Sequence, residues 1–560
     1  MIQLKITGFT NVRAGTLIFD EGSEAAGYAS ESSYLKYPCD SLARSQNGAM
    51  SSAHVARPAW ILAATILGSS LAFIDGTVVN VALPSIQHAL NATVADAQWV
   101  VESYALLLAA LILLGGAAGD FYGRRLVFII GVLLFAAASA WCGLAPDIRH
   151  LIAARALQGM GGAMLVPGSL AIISAAFPMA ERGKAIGTWS GFTGITAAIG
   201  PVLGGWLVQH LSWRWVFFIN LPIAAAVIVI SLLFVPESCG EGAKRKLDII
   251  GAFLITLGLG LLVFGMIEAP GTGWGNPVAW GTATFGALAI ALFLWREGRT
   301  DAPLVPMRLF RSMNFSGANL LTLLLYAALG ALLFFLPYNL IQVQGYTPTL
   351  AGAANLPLIL ILFFLSRWAG GLVAHYGAKL PLVIGPMIAA CGFLLFARPG
   401  IGGDYWTTYF PPMIVLGLGM SGVVAPLTTT VMDSVSEHQA GVASGVNNAV
   451  SRVASLLSIA VLGMVAFHVF NHQLADKLDT SKLPAPAKHS VLAQRNRLTQ
   501  IEPPRGLDTD QEQALKRWVD ESFLSGFRWV MVISAGLAIL SAFSAWRMIE
   551  GNPSRSTKNQ

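Results

Sequence analysis

The stretch GAAGDFYGRR, residues 116–125, lies between two long apolar runs. It places the carboxylate of Asp120 and the basic pair Arg124 and Arg125 on either side of Gly123. Charges packed this closely are unsuited to hydrocarbon, so they indicate a tight turn at a membrane surface. The stretch therefore predicts a hinge between two consecutive membrane helices.

The composition is that of a membrane protein. The chain has 560 residues, of which 55% are hydrophobic and 11% are charged, and its mean hydropathy is +0.64. A soluble domain carries about 25% charged residues, and a helix needs about 20 mostly apolar residues to cross the hydrocarbon core. The uncharged runs of that length are 126–145, 249–267, 278–295, 380–397, 529–546 and 312–366, the last divided into two spans at 344–349. With candidates near 59–87, 98–119, 150–177, 185–209, 215–235, 405–432 and 439–470, the sequence predicts fourteen spans.

The net charge of +6 follows the predicted topology. If the first turn lies outside, the outside loops carry few basic residues: Arg149, Arg214 and Arg398. The inside connections carry many more: Arg124, Arg125, Arg182, Lys184, Lys244, Arg245, Lys246, Arg296, Arg299, Arg308, Arg311, Lys379 and Arg547. This asymmetry predicts a multi-pass protein of the cell membrane with both termini in the cytoplasm. It does not indicate a nucleic-acid partner.

Polar stretches divide the chain into segments. The predicted order is a polar tail (1–57), six spans (58–236), two inserted spans (248–296), six further spans (312–549) and a short cytoplasmic tail (550–560). The first tail is either a disordered cytoplasmic segment or an artefact of a true start at Met50. A polar extracytoplasmic loop is expected at 472–525, where Asp508 caps a short helix. That helix either lies on the outer membrane surface or packs against neighbouring loops.

The hinge has a weaker copy in the second set of six spans. Gly370, Gly377 and Lys379 match Gly116, Gly123 and Arg125, but Ala374 stands where the first copy has Asp120. Two similar halves are the design of transporters that rock about a site in the membrane midplane.

Further motifs strengthen this interpretation. They are the stretches Phe73-Ile-Asp75-Gly-Thr-Val-Val-Asn80-Val-Ala-Leu-Pro84, Arg155-Ala-Leu-Gln158-Gly159, Gly200-Pro201-Val-Leu-Gly204-Gly205, Trp213-Arg-Trp-Val-Phe-Phe-Ile-Asn220-Leu-Pro222 and Gly441-Val-Ala-Ser-Gly445-Val-Asn447-Asn448. Through these stretches and the hinge, the chain resembles the major facilitator superfamily from about residue 58 to 549, and specifically its fourteen-helix drug:proton antiporter group, the EmrB/QacA type. Phe121 and Thr196 depart from the usual pattern, at positions where arginine and glycine are common.

The resemblance implies an all-α integral membrane protein with two six-helix bundles and two extra central helices. It implies no enzymatic activity and no cofactor, with a proton gradient as the energy source. It assigns proton and substrate coupling to Asp75 and Arg155, and conformational gating to the hinge residues Gly116, Asp120, Gly123, Arg124 and Arg125. The antiporter kink is assigned to Gly200, Pro201, Gly204 and Gly205. No catalytic or metal-binding residue is expected.

The chemistry of Asp75 supports its assignment. An ionised carboxylate at the bilayer centre costs about 2.5–3.5 kcal/mol on insertion scales. Asp75 is therefore expected to face a wet cavity and to take up protons readily. The alternatives for Asp75 are a structural carboxylate that is hydrogen-bonded to neighbouring helices and a carboxylate that lies nearer the surface. For Arg155 the alternative is a helix-packing anchor. Asp120 is expected at the interface between the halves, facing a helix N-terminus.

Other classes of protein fit less well. The sequence has no phosphate loop of an ATP-driven pump, no filter segments of a channel and no clustered histidines of a metalloenzyme. The expected function is proton-coupled antiport of drugs or toxic compounds. The alternatives are export of an endogenous metabolite or lipid-like compound, and proton symport.

The expected partners are protons, membrane lipids and an amphipathic or cationic small molecule. A periplasmic adaptor is a further partner that the resemblance allows. The aromatic residues that would suit a bulky substrate are Phe334, Phe335, Tyr338, Phe363 and Phe364.

Overall fold

The computed structural model describes residues 58–239, 247–272, 277–301, 303–365, 377–435, 439–481 and 483–551. Among these residues all regular structure is helical, and fourteen helices are long and apolar enough to cross a membrane. The predicted all-α fold with fourteen spans is therefore confirmed. The tail 1–57 with its alternative start at Met50, and the residues from 552 onward, lie outside the described part of the chain.

The spans follow the predicted order, and short helices lie in their connections. The spans are α1 (Pro58–Ala89), α2 (Val94–Tyr122), α3 (Arg124–Leu144), α4 (Ile148–Ala176), α5 (Met179–His210), α6 (Trp215–Phe234), α7 (Ile249–Thr272), α8 (Pro277–Glu297), α9 (Met313–Val343), α10 (Pro348–Leu365), α11 (Lys379–Phe396), α12 (Phe410–Asp433), α13 (Ala440–Thr480) and α14 (Thr509–Met548). The short helices are Met307–Arg311, Tyr405–Thr408, Ala485–Ala493 and Arg495–Gln500.

The first half, α1–α6, packs around α1 and α4. Helix α1 contacts α4, α5 and α6, while α4 also runs along α2 and α3. Small residues allow the backbones to touch: a Cβ atom built on Gly161 would lie 2.7 Å from the backbone nitrogen of Phe135. Large apolar side chains such as Leu133 and Leu144 point outward, 52% and 70% exposed, as expected of a surface that faces lipid.

The second half, α9–α14, is arranged in a similar way around α14. Helix α14 contacts α9, α11 and α13, and α11 also packs along α12. The inserted helices α7 and α8 pack on each other, and α7 touches both α2 and α13. They are central in the chain order, but α7 lies beside the contact between the halves and most of α8 is exposed.

An ion pair joins the start of α7 to the end of α8. Arg296, near the end of α8, donates to Asp248, which directly precedes α7. Partial burial acts to raise the pKa of Asp248, but the hydrogen bonds from Arg296 and from the Gly251 N–H outweigh it and hold this pKa below its usual range. The two helices are thereby joined by a charge-assisted contact at their shared end.

Successive spans run in opposite directions, so the molecule has two ends. The hinge end contains residues 120–125, and the far end contains the first turn, between α1 and α2. At the far end, the connection between α13 and α14 reaches across to α1. Gln500 Nε2 donates to the Pro84 carbonyl at 2.9 Å, and Gln87 Nε2 donates to the Arg497 carbonyl at 3.4 Å. The second half therefore covers the end of a first-half helix.

This connection differs from the predicted polar loop 472–525. Helix α13 continues to Thr480 and α14 begins at Thr509, so the loop is shorter and both helices extend well beyond the length of a span. Asp508 is the predicted N-cap and accepts from the Gln511 N–H at 2.7 Å. The helix that it caps is not a separate surface helix, because it continues without a break into the last span.

Candidate functional site

Asp75 on α1 and Arg155 on α4 form a buried ion pair. Arg155 Nη1 donates to Asp75 Oδ2. The Asp75 side chain is 0% exposed and the Arg155 side chain is 1% exposed. The sequence predicts both charges within the membrane, and the structure brings them together. It also encloses Asp75 completely, in contrast to the expected wet cavity.

Three uncharged polar side chains surround this pair. Gln158 Nε2 donates to Asp75 Oδ1 at 2.8 Å, and Gln158 Oε1 accepts from Arg155 Nη1 at 2.7 Å. Asn220 Nδ2 donates to Asp75 Oδ1 at 3.3 Å and to Ser139 Oγ at 2.9 Å. Residues of α4 and α6 therefore contact the Asp75 carboxylate of α1, and Ser139 of α3 accepts from both amides.

Helix α2 supports the guanidinium from another side. Arg155 Nε donates to the Val100 carbonyl at 3.0 Å, and its guanidinium carbon lies 4.2 Å from the centre of the Tyr104 ring. Such cation–π contacts are strongest where water is excluded. The Tyr104 hydroxyl in turn donates to the Ala72 carbonyl of α1 at 3.1 Å.

The arrangement links protonation to helix packing. The ionised form of Asp75 is stabilised by Arg155, Gln158 and Asn220 together. A proton bound to Asp75 would neutralise the carboxylate and remove its ion pair with Arg155. The packing of α1, α2, α4 and α6 would then have to respond, because each of these helices carries a residue that belongs to the pair or contacts it.

No role in this site is predicted from the sequence for Gln158, Asn220 or Ser139. A signal was present for Gln158, which follows Arg155 by three residues and therefore lies on the same helix face. Asn220 and Ser139 are uncharged polar residues within apolar spans, but nothing local indicates that they meet. Their contacts join residues that are 81 positions apart in the chain.

At the hinge, the predicted tight turn is confirmed. Helix α2 ends at Tyr122 and α3 begins at Arg124, and the residue between them, Gly123, has φ 119°. L-residues rarely adopt such a backbone conformation, so the turn requires glycine. Gly377, its match in the second half, has φ 75° and lies two residues before Lys379, the first residue of α11. Gly370 and Ala374 lie outside the described residues.

The partner of Asp120 differs from the expected one. Arg124, four residues further on, donates from Nε to Asp120 Oδ1 at 2.9 Å and also contacts the Ala171 carbonyl at 3.3 Å. The ion pair therefore lies within the first half and not across the interface between the halves. Gly116 lies inside α2, where a Cβ atom would be 3.3 Å from Pro167 of α4.

Glu237 is a hinge residue that the sequence alone does not predict. Its carboxylate accepts from the backbone N–H groups of Arg125 at 2.9 Å and Leu126 at 3.1 Å, at the start of α3. The Arg125 side chain contacts the same carboxylate at 4.0 Å, and its guanidinium donates to the Val235 carbonyl at 3.1 Å. The segment that follows α6 thus caps α3 and complements the positive end of the helix dipole.

We expect Glu237→Ala to destabilise the protein more than Asp120→Asn. The Glu237 side chain is 5% exposed, and its loss leaves two N–H groups without this acceptor, which costs about 1–3 kcal/mol. Asp120 is 39% exposed, and a pair exposed to this extent contributes about 1 kcal/mol or less. Thermal unfolding of both purified variants in one detergent tests this order. An Asp120→Asn shift equal to or larger than that of Glu237→Ala would contradict it.

The predicted antiporter segment of α5 forms close contacts at the far end. Cβ atoms built on Gly200 and Gly204 would overlap Thr77 and Val78 of α1, and one on Gly205 would overlap the Pro348 carbonyl of α10. The contact is reciprocal, because a Cβ on Gly352 of α10 would overlap the Pro201 carbonyl. Pro201 lies within the uninterrupted helix α5. The segment therefore forms a close backbone contact between the two halves.

Helices α2 and α13 make a second contact between the halves. Gln98 Nε2 donates to the Ile459 carbonyl at 3.2 Å. Nearer the hinge end, a Cβ on Gly445 would lie 3.0 Å from Leu113. The motif residue Asn447 of α13 donates within the second half, to Thr322 Oγ1 of α9 at 2.7 Å.

The aromatic residues expected to suit a substrate do not form one group. Phe334, Phe335 and Tyr338 are 1–2% exposed and pack in the core of the second half. Phe363 and Phe364 are 46% and 68% exposed. The first three residues serve packing.

Similarity to known proteins agrees with this architecture. Residues 65–459 match the Major Facilitator Superfamily. The chain is 34% identical over 500 residues to the multidrug resistance protein Stp of Mycobacterium tuberculosis. This alignment covers 87% of this chain and 91% of the relative. It is 32% identical to the tetracenomycin C resistance and export protein of Streptomyces glaucescens, over 87% of this chain and 90% of the relative. The puromycin resistance protein pur8 of Streptomyces alboniger is 35% identical, over 74% of this chain and 83% of the relative.

Solved structures share the fold. A bacterial homologue of the human lysosomal transporter Spinster, in an inward-facing and unoccupied conformation, aligns with a TM-score of 0.60 at 18% identity. The alignment covers 90% of this chain and all of the other.

Proposed function

The chain belongs to the Major Facilitator Superfamily, and we propose that it is a proton-coupled antiporter that exports drugs or other toxic compounds. The observation that carries this proposal is the carboxylate of Asp75, held by Arg155 at the meeting point of four membrane helices. Binding of a proton there alters an ion pair on which helix packing depends. Proton movement can thereby drive a change between two conformations.

The contacts at the far end support alternating access. Helix α5 meets α10 through glycine-to-backbone contacts, and α2 meets α13 through Gln98. This end is closed, and the halves must separate here for a substrate to leave. The cluster of basic residues at the hinge end supports a cytoplasmic location for that end. Substrate would therefore enter from the cytoplasm and leave through the far end.

The relatives suggest which compounds to test first. Two of them are named for resistance to tetracenomycin C and to puromycin, and another for multidrug resistance. We propose that this protein also exports amphipathic compounds of these kinds, in exchange for protons. Amphipathic molecules reach a membrane protein through the lipid as well as through water.

A resistance and accumulation experiment tests the proposal. The gene is expressed in a host that lacks its own exporters, and growth is measured with puromycin, tetracenomycin C and ethidium. We expect lower accumulation of at least one compound and restored accumulation after a protonophore collapses the gradient. Export that survives the protonophore contradicts proton coupling. A failure of all the toxic compounds would instead favour an endogenous metabolite or a lipid-like substrate.

A further inference from the structure

Glu102 on α2 is a buried carboxylate that the site above does not use. Its side chain is 0% exposed, and neither Oε1 nor Oε2 has a hydrogen-bond partner among the described residues. A buried polar group normally has a partner, and a buried charge without one is strongly unfavourable. The protonated, neutral acid is the form of Glu102 that this environment permits.

Its neighbours on the helix place Glu102 at the contact between the halves. Gln98, one turn before it, donates to the Ile459 carbonyl of α13. Leu106, one turn after it, packs with Leu456 and Ala460 of the same helix. Residues four apart lie on one face of a helix, so Glu102 belongs to the face of α2 that meets α13.

The same turn of α2 also touches the Asp75–Arg155 pair. The Val100 carbonyl accepts from Arg155, and the Tyr104 ring lies against its guanidinium. Glu102 lies between these two residues in the sequence. A movement of this turn would therefore act on the ion pair and on the contact between the halves at once.

No ion pair involves Glu102 in the described part of the chain. The helices packed against α2 carry these charged or titratable side chains: Asp75 and His88 on α1, Arg124, Arg125 and Cys142 on α3, Arg149, His150 and Arg155 on α4, Glu268 on α7, Arg452, His468, His472, Asp476, Lys477 and Asp479 on α13, and Arg495 and Arg497 on the helix Arg495–Gln500. Asp75, Arg124, Arg125 and Arg155 make the contacts described above, and the Arg452 guanidinium lies 6.0 Å from the centre of the Phe73 ring. Glu102 differs from Asp75, whose ionised form is fully supported within the first half.

We infer that Glu102 is a second proton-binding site, and that it must be protonated for the far end to close. This inference rests on the proposed antiport. When α2 and α13 separate at the far end, water reaches the carboxylate and a proton from the far-side solution forms its O–H bond. Closure then buries the neutral acid. The proton leaves towards the hinge side when substrate that enters from that side loosens the contact between α2 and α13 at Glu102.

A second proton in each cycle changes the charge balance of transport. Exchange of two protons for a monovalent cation moves net charge, whereas exchange of one proton does not. We therefore expect uptake of ethidium into proteoliposomes to respond to an imposed membrane potential in the unaltered protein. Glu102→Gln, which mimics the neutral acid and retains the shape of the side chain, should respond to a pH gradient alone. Glu181→Gln, which removes an exposed carboxylate at the start of α5, should behave as the unaltered protein.

An infrared measurement tests the protonation state without transport. The unaltered protein at neutral pH should show the carbonyl band of a protonated carboxylic acid that Glu102→Gln lacks and Glu181→Gln retains. If Glu102→Gln keeps the full band, or still responds to the membrane potential, the inference is overturned. If the unaltered protein shows no uptake driven by a pH gradient, the proposed antiport fails, while the infrared result still decides whether Glu102 carries a proton. If the glutamine variant folds poorly, Glu102→Asp serves in its place: it keeps the carboxylate, so its ethidium uptake should respond to the membrane potential.

Discussion

Asp75→Asn is expected to abolish active export. The asparagine side chain has nearly the same shape but cannot alternate between a neutral and a charged form. It also leaves Arg155 buried without its anionic partner, and loss of one member of a buried pair costs about 3–5 kcal/mol. The variant should therefore lose both proton-driven transport and thermal stability. Ethidium transport in vesicles and thermal unfolding of the purified protein measure the two effects.

A double variant separates these two effects. Asp75→Asn combined with Arg155→Gln removes both charges, so no unpaired ion remains in the core. We expect it to regain stability relative to the single variant, because the desolvated charge is gone. Transport should stay absent, since the proton-binding carboxylate is missing. Recovery of proton-driven transport in the double variant would show that the pair is only structural.

Gly205→Ala is expected to open the far end. The added methyl group overlaps the Pro348 carbonyl of α10, which belongs to the other half and cannot move as an isolated side chain could. Overpacking of this kind costs about 1–3 kcal/mol, and each 1.4 kcal/mol changes a population ratio by about tenfold. The cost falls only on the closed form, so the population shifts towards separation of α5 from α10.

Distances between spin labels measure this shift. Labels at His210 and Trp406, both exposed at the far end and one on each half, should move apart in Gly205→Ala. Gly191→Ala is the matched control, because a Cβ at this position of the same helix meets nothing within 4 Å. An unchanged distance distribution in Gly205→Ala, or an equal change in both variants, would count against closure through these glycines.

The spans and the hinge could be predicted because their signals are local. A long apolar run must be helical in lipid, where each backbone polar group has to be satisfied internally. The charges at Asp120, Arg124 and Arg125 likewise mark a turn without any knowledge of other segments. Asp75 and Arg155 stand out in the same way, as charges within apolar spans.

The contacts of these residues were less predictable because they join distant segments. Glu237 is 112 residues from Arg125, and Gln98 is 361 residues from Ile459. Glu102 is a carboxylate near the start of a span, a position that is usually solvated, and nothing local in the sequence indicates otherwise. Only the packing of α13 against this face of α2 shows that it is buried.

The extension of α14 shows a different limit. The apolar residues Leu515, Val519 and Phe523 repeat at helical spacing, and the predicted helix is present with its Asp508 cap. Its continuation into the last span was missed because the polar segment 472–525 was predicted to be one extracytoplasmic loop. In the structure Gly526 allows close contact between the two helices: a Cβ there would lie 2.7 Å from the Ala466 carbonyl of α13.

The most direct test of proton-coupled export is proton flux driven by substrate. Purified protein is reconstituted into vesicles that contain a pH-sensitive dye, and a gradient of a transported compound is imposed without any pH gradient. We expect protons to move against the direction of the compound, and Asp75→Asn to show no such movement. Protons that move with the compound would indicate symport. Transport without any proton movement would contradict coupling through Asp75.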